Sequence, residues 1–326
     1  MTAVSVSGWA GNGFAHEACV FDDDEALRAR MLPFVEEAMA RGEATLVVAG
    51  ERVRALVADS LVDGGSEPAL LADSEEFWQG GAQTLTAYQE SMRPLLEARK
   101  PWRFIGEPTW LADPGGEVWS RYEAVSNDAF ADYPCYSLCL HDRRRLSPDL
   151  IEGALRTHPL TWNGTTVLAS PDYQPTEAFL RSVEAPWTPR PEERDWAVVT
   201  RPAAARALVH RVLGDGHREE HVEDVVLAVH ELVANALEAA GAAEVSHWRT
   251  RVGHAWEVSD DGIGMHKTAA GYAPPPSDVP TGRGLWIARS LADDAIVRPY
   301  GPGTAVRLHF HTLPAGTDPQ SGRSPK

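Results

Sequence analysis

Two polar residues, Glu231 and Asn235, interrupt a long apolar helical stretch in the C-terminal third of the chain. They lie in VEDVVLAVHELVANALEAA, residues 222–240, where most other positions are apolar. The i, i+4 spacing puts both side chains on one face of a helix. Burying a carboxylate without a partner is costly, so the pair predicts contact with a ligand, a metal ion or water.

A second motif, WEVSDDGIG at residues 256–264, places an acidic residue and two glycines directly after a predicted strand. Gly262 and Gly264 permit positive φ angles and allow the backbone to approach a ligand closely. The carboxylate of Asp260 can accept a hydrogen bond from an exocyclic amine. The motif is therefore typical of a turn that lines a binding pocket.

A third motif, TGRGL at residues 281–285, opens a predicted helix with two glycines. Free backbone N–H groups and the helix dipole at such a position favour negatively charged ligands, which indicates phosphate binding. Each motif taken alone also occurs in ordinary turns. Their order and spacing along the chain carry the functional prediction.

The three motifs together resemble those of the GHKL (Bergerat) ATPases, whose signature is an E-x-x-x-N helix, a D-x-G-x-G turn and a G-x-G motif that opens a helix. The resemblance implies that Asn235 binds Mg²⁺, that Glu231 is the base that activates a water or hydroxyl, and that Asp260 recognises adenine. It also implies that further residues surround the ATP: Gly262 and Gly264 at the pocket floor, Gly282, Arg283, Gly284 and Leu285 at the phosphate motif, and Thr304 beside Asp260.

Within this family, the chain resembles the bacterial anti-sigma factor kinases through AVHELVANALEAAG, VSDDGIGM and TGRGLWIARSLADD, over about residues 195–312. The resemblance implies that the protein phosphorylates a serine of an anti-sigma factor antagonist or binds a sigma factor, and so controls sigma-factor availability. One position departs from the group, because the histidine often found four residues after the asparagine is Ala239. The loop at residues 265–280, with three consecutive prolines, is the expected ATP lid.

Other functions stay open for the same domain. A non-catalytic nucleotide-binding switch needs only the Asp260 pocket and the glycines, whereas phosphotransfer also needs Glu231 oriented on an incoming hydroxyl. A sensor histidine kinase needs an accepting histidine on a dimerising helical hairpin, but His210, His217 and His221 fall inside or beside the first helices of this domain. Gyrase-like and mismatch-repair-like enzymes carry a further domain after the ATP module, where only a short segment follows here.

The N-terminal half resembles a different family. HEACVFDDDEALRARMLPFVEEAMARGEATLVV, beginning at His16, is similar to the MEDS domain, as are IGEPTW and THPL further along. MEDS domains are sensory modules often joined to anti-sigma-type ATPases, and the similarity covers about residues 14–182. It implies a RecA-like α/β core that senses a signal, although no G-x-x-x-x-G-K-[ST] loop occurs in this chain.

Histidines and cysteines of this half form two groups that could bind a metal ion or a small-molecule signal if the fold unites them. His16 and Cys19 are three residues apart, and Cys135, Cys139 and His141 form the second group. Ordinary packing of buried cysteines and histidines is the alternative. Aromatic residues that line a hydrophobic ligand pocket or pack the core are also dense here, namely Trp78, Tyr88, Trp102, Phe104, Trp110, Trp119 and Tyr122.

Periodicity predicts the elements that must position these residues in the N-terminal half. Helical spacing of apolar residues covers 24–41, 51–61, 83–99 and 148–156, and short apolar runs at 44–49, 102–105 and 136–140 predict strands. Helices that alternate with strands in this way favour an α/β domain with a mostly parallel sheet.

The C-terminal half shows a different order of elements. Strands are predicted at 196–200, 244–251, 254–259, 295–298 and 304–309, and helices at 203–213, 219–240 and 284–292. This order predicts a sheet with helices on one face, and the resemblance described above implies that it is the α+β sandwich of the GHKL/Bergerat type. The three prolines and six charges of SVEAPWTPRPEERDW, residues 182–196, favour a connector. We therefore expect a sensory domain at 1–185, a linker at 186–196, an ATP-binding domain at 197–312 and a disordered tail at 313–326.

Composition limits the classes of partner. The net charge of −17 over 326 residues opposes direct nucleic-acid binding, since phosphate backbones are bound largely by Lys and Arg. Three cysteines are too few for a disulfide framework, and no apolar run approaches the about 18 residues of a membrane helix. These features predict a cytoplasmic protein. The resemblance to the anti-sigma factor kinases implies that its partners are a sigma factor or an antagonist protein, and a homodimer is compatible with both.

Overall fold

The computed structural model describes residues 9–63, 69–113, 116–183, 188–214, 217–265, 269–274 and 282–311. The chain divides into two compact units, Met1–Val183 and Glu184–Lys326. The predicted tail at 313–326 lies outside the described residues. None of the described helices combines the length and the apolar character needed to cross a membrane.

The N-terminal unit alternates strands with helices. In chain order its elements are β1 (Ala15–Phe21), α1 (Asp24–Arg41), β2 (Ala44–Ala49), α2 (Glu51–Asp63), β3 (Leu70–Asp73), α3 (Ser74–Phe77), α4 (Gly81–Ala98), β4 (Trp102–Gly106), α5 (Trp119–Ala129), β5 (Cys135–Asp142), α6 (Pro148–Thr157), β6 (Leu160–Trp162), β7 (Val167–Ala169) and α7 (Thr176–Ser182), with short 3-10 segments at Thr109–Ala112 and Gly116–Val118.

The seven strands of this unit form one sheet in the order β3-β2-β4-β5-β1-β6-β7. All neighbouring strands are parallel except β6 and β7, which are antiparallel. The predicted α/β domain with a mostly parallel sheet is confirmed. Local signals explain the accurate bounds of α1, because Asp23 accepts a hydrogen bond from Ala26 N–H at its start and Gly42 ends it with φ +65°.

Strand β1 lies between β5 and β6 and was not predicted from the sequence. Its sequence, AHEACVF, contains two polar residues that hide the apolar pattern of a buried strand. One of them, Glu17, is fully buried and accepts hydrogen bonds from Arg30 Nε at 2.6 Å and from the Tyr136 hydroxyl at 2.7 Å. Partners from distant parts of the chain therefore make this charged strand residue compatible with the interior.

The C-terminal unit contains five strands and three helices among its described residues. In chain order these are β8 (Asp195–Val199), α8 (Pro202–Leu213), α9 (Glu219–Ala240), β9 (Ala243–Arg249), β10 (Gly253–Ser259), α10 (Gly284–Leu291), β11 (Asp294–Tyr300) and β12 (Gly303–His311). The strands form one antiparallel sheet in the order β11-β12-β10-β9-β8.

Helices α8, α9 and α10 share a hydrophobic core with one face of this sheet. Val229 and Leu232 of α9 pack in the same buried cluster as Trp256 of β10 and Leu308 of β12. Because successive strand residues point to opposite faces, Trp256 and Val258 face the helices. The predicted α+β sandwich with helices on one face is confirmed, and this packing sets α9 across the end of β10.

The other face of the sheet is held by buried charges rather than by apolar residues. Glu257 is fully buried and accepts a hydrogen bond from Arg307 Nε at 2.7 Å. It also forms an ion pair with Arg190, which precedes β8 and donates to Ser259 Oγ at 2.8 Å. Arg307 donates in turn to the Thr188 carbonyl at 3.1 Å. The irregular segment before β8 is therefore attached to the sheet through Glu257, through a second ion pair between Arg190 and Glu244, and through the bond from Arg307 to Thr188.

Replacing Glu257 with alanine should destabilise the C-terminal unit by about 3–5 kcal/mol, because the buried Arg307 guanidinium loses its partner Glu257 and Arg190 loses one of its carboxylate partners. Urea unfolding of the full chain, followed by circular dichroism, measures the change. Glu193→Ala, which removes an exposed carboxylate near the same segment, is the control and should change stability by less than about 0.5 kcal/mol. Equal stability of the two variants would contradict the assigned role of Glu257.

Candidate functional site

The backbone positions Asp260 immediately after β10. Its N–H donates to the Thr304 carbonyl at 2.9 Å, which extends the pairing of β10 with β12 by one residue. Its Oδ1 accepts a hydrogen bond from Gly262 N–H at 2.8 Å. Asp260 is half-buried, so its carboxylate is oriented by the turn and still accessible to a ligand.

Gly303 makes this position possible because β12 passes directly beneath Asp260. A methyl group on Gly303 would lie 2.0 Å from the Asp260 carbonyl oxygen and 2.8 Å from Oδ1. Gly264, with φ +75°, is less tightly packed, because its methyl group would lie 3.0 Å from the Pro302 carbonyl oxygen, but its backbone conformation favours glycine. Sequence reasoning did not select Gly303 as a site residue, and its place beside Thr304 was the available signal for a role in the site.

Asp260 lies in the wall of a cavity of about 190 Å³ between α9, the end of β10, α10 and β12. Most of the wall is apolar, and three polar side chains interrupt it. The lining residues are Leu232, Asn235, Ala236, Ala239, Val258, Asp260, Ile263, Gly264, Met265, Leu285, Thr304 and Val306. The fold therefore brings together five of the predicted site residues, Asn235, Asp260, Gly264, Leu285 and Thr304.

The start of α10 lies against the polar pair of α9. A methyl group on Gly284 would lie 2.9 Å from Glu231 Oε2 and 3.0 Å from Asn235 Nδ2. The two α9 side chains thus share one face, as predicted, and both lie against Gly284, the first residue of α10. The apolar sequence around them suggested burial, but Glu231 is half-buried and Asn235 is exposed, because α10 covers that part of α9 only from one side. Glu231 does not line the 190 Å³ cavity.

Gly282 and Arg283 precede α10 and are exposed. Gly282 has φ +87°, a conformation that favours glycine, and no side chain caps the first turn of α10. The N–H groups of this first turn are therefore available to an anion. Thr281, the first residue of the motif, lies outside the described residues.

The short segment at 269–274 is anchored on α10. Arg289 is buried, donates to the Ala270 carbonyl at 3.2 Å and stacks over Tyr272, with its guanidinium carbon 3.9 Å from the ring centroid. Gly271, with φ +74°, packs against Leu285, whose Cγ would lie 2.5 Å from an added methyl group. The remainder of the predicted lid, at 266–268 and 275–280, lies outside the described residues. Motif reasoning missed Arg289 and Tyr272.

The three histidines considered as phosphoacceptors differ in exposure. His217 is bonded inside the domain through both ring nitrogens, with Nδ1 2.7 Å from the Leu213 carbonyl and Nε2 3.0 Å from His254 Nε2. Burial lowers the pKa of His254 to about 4. His221 is half-buried, whereas His210 is exposed on α8.

In the N-terminal unit the fold unites some of the candidate histidines and cysteines and separates others. His16 Nε2 lies 3.4 Å from Cys139 Sγ, and His141 is buried on the same strand as Cys139. Cys19 packs in the apolar core instead, where burial raises the pKa of its thiol to about 12. Cys135 is buried outside this group of candidate ligands.

Two residues that sequence reasoning did not select join the group. His158, within the THPL segment, and Glu123 of α5 are both buried and lie beside His16, Cys139 and His141. Burial lowers the pKa of His16 to about 4 and that of His158 well below its usual value. Their positions far apart in the sequence gave no local signal that they would meet.

The aromatic residues form a continuous cluster with a small cavity at one end. Tyr88, Phe104 and Trp119 line a cavity of about 40 Å³ together with His16, Glu123 and Cys139. Trp78 stacks on Trp110 at 5.0 Å, and Trp119 stacks on Tyr122 at 6.0 Å, which packs these rings behind the cavity. Trp102 is apart from them and contacts Tyr133. Three of the seven predicted residues therefore line a cavity.

Sequence models of two protein families match the chain. The MEDS model, described as the methanogen/methylotroph, DcmR sensory domain, matches residues 15–159. The model of the histidine kinase-like ATPase domain matches residues 196–310. No protein among those with curated descriptions matches the chain.

Replacing Gly303 with alanine should displace Asp260, because the added methyl group overlaps the Asp260 carbonyl. We expect a loss of about 1–3 kcal/mol in stability and at least about a tenfold loss of nucleotide affinity. Thermal unfolding and titration with a fluorescent ATP analogue measure the two effects. Pro302→Ala, an exposed neighbour that keeps its carbonyl, is the control. Unchanged nucleotide affinity in the Gly303 variant would exclude this positioning role.

Proposed function

The chain joins a MEDS sensory domain to a histidine kinase-like ATPase domain and is thus a regulatory ATP-binding signalling protein, and we propose that it phosphorylates a serine of a protein partner. The partner class that we propose is an anti-sigma factor antagonist, so that phosphorylation controls the availability of a sigma factor in the cytoplasm. The observation that carries the proposal is the meeting of Asp260, Asn235 and Thr304 at one cavity, with Glu231 beside it.

The cavity supports binding of the adenine base. Its apolar wall provides contact for a flat ring, and Thr304 and Asp260 provide polar groups at one side. Gly262 N–H already uses Oδ1 of Asp260, so the other carboxylate oxygen is the one that would accept a hydrogen bond from the exocyclic amine. The volume of about 190 Å³ is below the range of about 300–1,000 Å³ typical of drug-sized sites, which fits a base rather than a whole nucleotide.

The phosphates would then bind toward the start of α10. Gly284 has no side chain, and the uncapped first turn offers N–H donors next to Glu231 and Asn235. The amide oxygen of Asn235 suits Mg²⁺, which takes oxygen ligands and usually keeps few protein ligands beside phosphates and water. When bound, Mg²⁺ neutralises charge on the phosphate oxygens.

In this proposal Glu231 acts as the general base of the transfer step. The serine hydroxyl oxygen forms a bond to the γ-phosphorus while the bond from that phosphorus to the β,γ-bridging oxygen breaks, and ADP leaves. The hydroxyl proton passes to the Glu231 carboxylate and then to solvent. Since Glu231 is half-buried next to Gly284, it is near the predicted phosphate position without blocking the base cavity.

A non-catalytic switch is the second candidate function, and one observation favours it. Glu231 lies outside the wall of the cavity, so nucleotide binding through Asp260 does not itself require Glu231. In both functions the N-terminal domain would sense a small-molecule signal and the C-terminal domain would respond through its nucleotide state. Phosphate transfer to a partner serine distinguishes the two.

Substituting asparagine for Asp260 should weaken ATP binding by about tenfold or more. The amide oxygen of the new asparagine would accept the Gly262 N–H, and its NH₂ group would face the adenine base. The hydrogen bond from the exocyclic amine of the base to the carboxylate would then be lost, at a cost of about 1.5–3 kcal/mol. Calorimetric titration of the full chain measures the affinity. Asp261→Asn, which changes the exposed neighbouring carboxylate, should bind ATP like the wild type. Equal affinity in all three proteins would refute the assignment of the base pocket.

Changing Glu231 to glutamine should preserve ATP affinity and lower the transfer rate by about 10²–10⁴-fold, the usual contribution of a general base. In the assay the full chain is incubated with labelled ATP and candidate antagonist proteins, and the label on each protein is measured. Glu223→Gln, an exposed position on the same helix, should transfer at the wild-type rate. Acid-stable label on the partner is expected. ATP binding without any transfer would support the switch, and acid-labile label on the chain itself would support a histidine kinase.

A further inference from the structure

A group of polar side chains is buried in the MEDS domain on one face of its sheet. His16 lies on β1, and Cys139 and His141 lie on β5, where the parallel register pairs His16 with Ser137. His158 follows α6 directly and Glu123 lies on α5. All five ligand-type residues are buried. Their presence in the interior does not depend on the ATPase function proposed above.

Hydrogen bonds fix the same tautomer in all three histidines. Nδ1 of His16 lies 3.1 Å from Asn127 Oδ1, Nδ1 of His141 lies 3.2 Å from the Cys139 carbonyl, and Nδ1 of His158 lies 2.7 Å from the Ala154 carbonyl. Each of these three oxygen atoms can only accept a hydrogen bond, so Nδ1 is the donor. The hydrogen of each neutral ring is therefore on Nδ1, and the lone pair is on Nε2.

Asn127 can present only its oxygen to His16. Its Nδ2 donates to the Thr157 carbonyl at 2.8 Å and to the Ala124 carbonyl at 3.1 Å, so the amide orientation is set by two backbone acceptors. Metal-binding histidines show this pattern, in which one ring N–H is bonded to an oxygen and the other nitrogen is directed at the metal.

The unprotonated nitrogens converge with a thiol and a carboxylate. Ligand atoms of His16, Cys139 and His158 lie within 4.8 Å of one another, and so do those of Glu123, His141 and His158. His158 belongs to both sets and therefore lies between them. Its Nε2 and that of His141 are buried and have no hydrogen-bond partner in the described part of the chain, and such orphaned groups are costly.

Charge favours a cation at the same position. Glu123 is buried and accepts a hydrogen bond from Trp119 Nε1 at 3.1 Å, which leaves its negative charge to be balanced. His141 Nε2 lies 3.7 Å from Glu123 Oε1, too far for a hydrogen bond, and a divalent metal ion at this position would balance the carboxylate. Nitrogen and sulfur donors together with one carboxylate select ions such as Zn²⁺ rather than Mg²⁺ or Ca²⁺.

We propose that the MEDS domain binds one divalent transition-metal ion of the Zn²⁺ class at His158, between His16 and Cys139 on one side and His141 and Glu123 on the other. Binding converts the Cys139 thiol to a thiolate, and its proton leaves to solvent. The neighbouring cavity of about 40 Å³ has room for a group of about the size of a water molecule. A coordination position facing this cavity would make the ion a sensor for a small ligand atom.

Metal binding by the full chain tests the proposal. Protein stripped with a chelator is dialysed against Co²⁺ or Zn²⁺, the metal content is measured by mass spectrometry, and the Co²⁺ spectrum is recorded. We expect one ion in the MEDS domain, visible absorption bands of low-coordinate Co²⁺, and a near-ultraviolet charge-transfer band from a thiolate. Cys139→Ser should abolish the charge-transfer band, and Cys135→Ser, a buried cysteine on the same strand, should keep it.

His158→Gln should lower the affinity for Co²⁺ by at least about tenfold. Loss of a residue that only supports a metal ligand already costs about 10–100-fold in affinity, and His158 is proposed as a ligand itself. If that variant does not fold, His16→Gln tests the loss of Co²⁺ affinity instead. The melting temperature of the wild type should also rise with Zn²⁺, because an ion that binds only the folded chain stabilises it. His254→Gln, in the histidine cluster of the other domain, should keep the thiolate band. Absence of bound ion in the folded wild type, or a thiolate band that survives in Cys139→Ser, would overturn the proposal.

Discussion

The contact between strand β12 and the backbone of Asp260 is the constraint on which the C-terminal site depends. Gly303 lies so close that even a methyl group would overlap the Asp260 carbonyl. Because the two strands lie so close, the Thr304 carbonyl accepts a hydrogen bond from Asp260 N–H at 2.9 Å. This bond holds the Asp260 backbone and so sets the position from which its carboxylate extends. A carboxylate held by its backbone and by Gly262 loses little further conformational freedom when a ligand binds.

A second glycine contact joins the phosphate motif to the helix. Gly284 begins α10 against Glu231 and Asn235, and a larger residue there would separate α10 from α9. Both contacts rest on the core that α9 shares with the sheet, in which Val229 and Leu308 are fully buried. The apolar core thus fixes the distance between the helix and the strands, and the glycines let polar groups converge across it.

The MEDS domain places its polar groups differently. Its sheet packs an apolar cluster containing Cys19 on one face, while His16 of the same strand faces a polar cluster on the other. Because helices cover both faces, each buried polar group needs a partner from within the fold. Asn127 and backbone carbonyls supply partners to one nitrogen of each histidine, so the metal site proposed for this domain lies in its interior.

Local patterns in the sequence determined much of the architecture. The bounds of α1, β2 and α9 coincide with those that periodicity predicted, since caps and apolar spacing are properties of neighbouring residues. The residues of the three ATP motifs were identified because each motif is contiguous. Tertiary structure alone showed that Asn235 is exposed and that Gly303 supports Asp260.

The same limit explains the N-terminal domain. Local apolar runs predicted its parallel sheet but not β1, whose polar residues are stabilised by partners distant in sequence. His158 and Glu123 join His16 only because the parallel order places β1 beside β5 under α5 and α6. Apolar spacing and the three contiguous motifs were readable from the chain because they depend on near neighbours. Which buried polar groups meet depends on the folded arrangement, because those contacts join segments far apart along the chain.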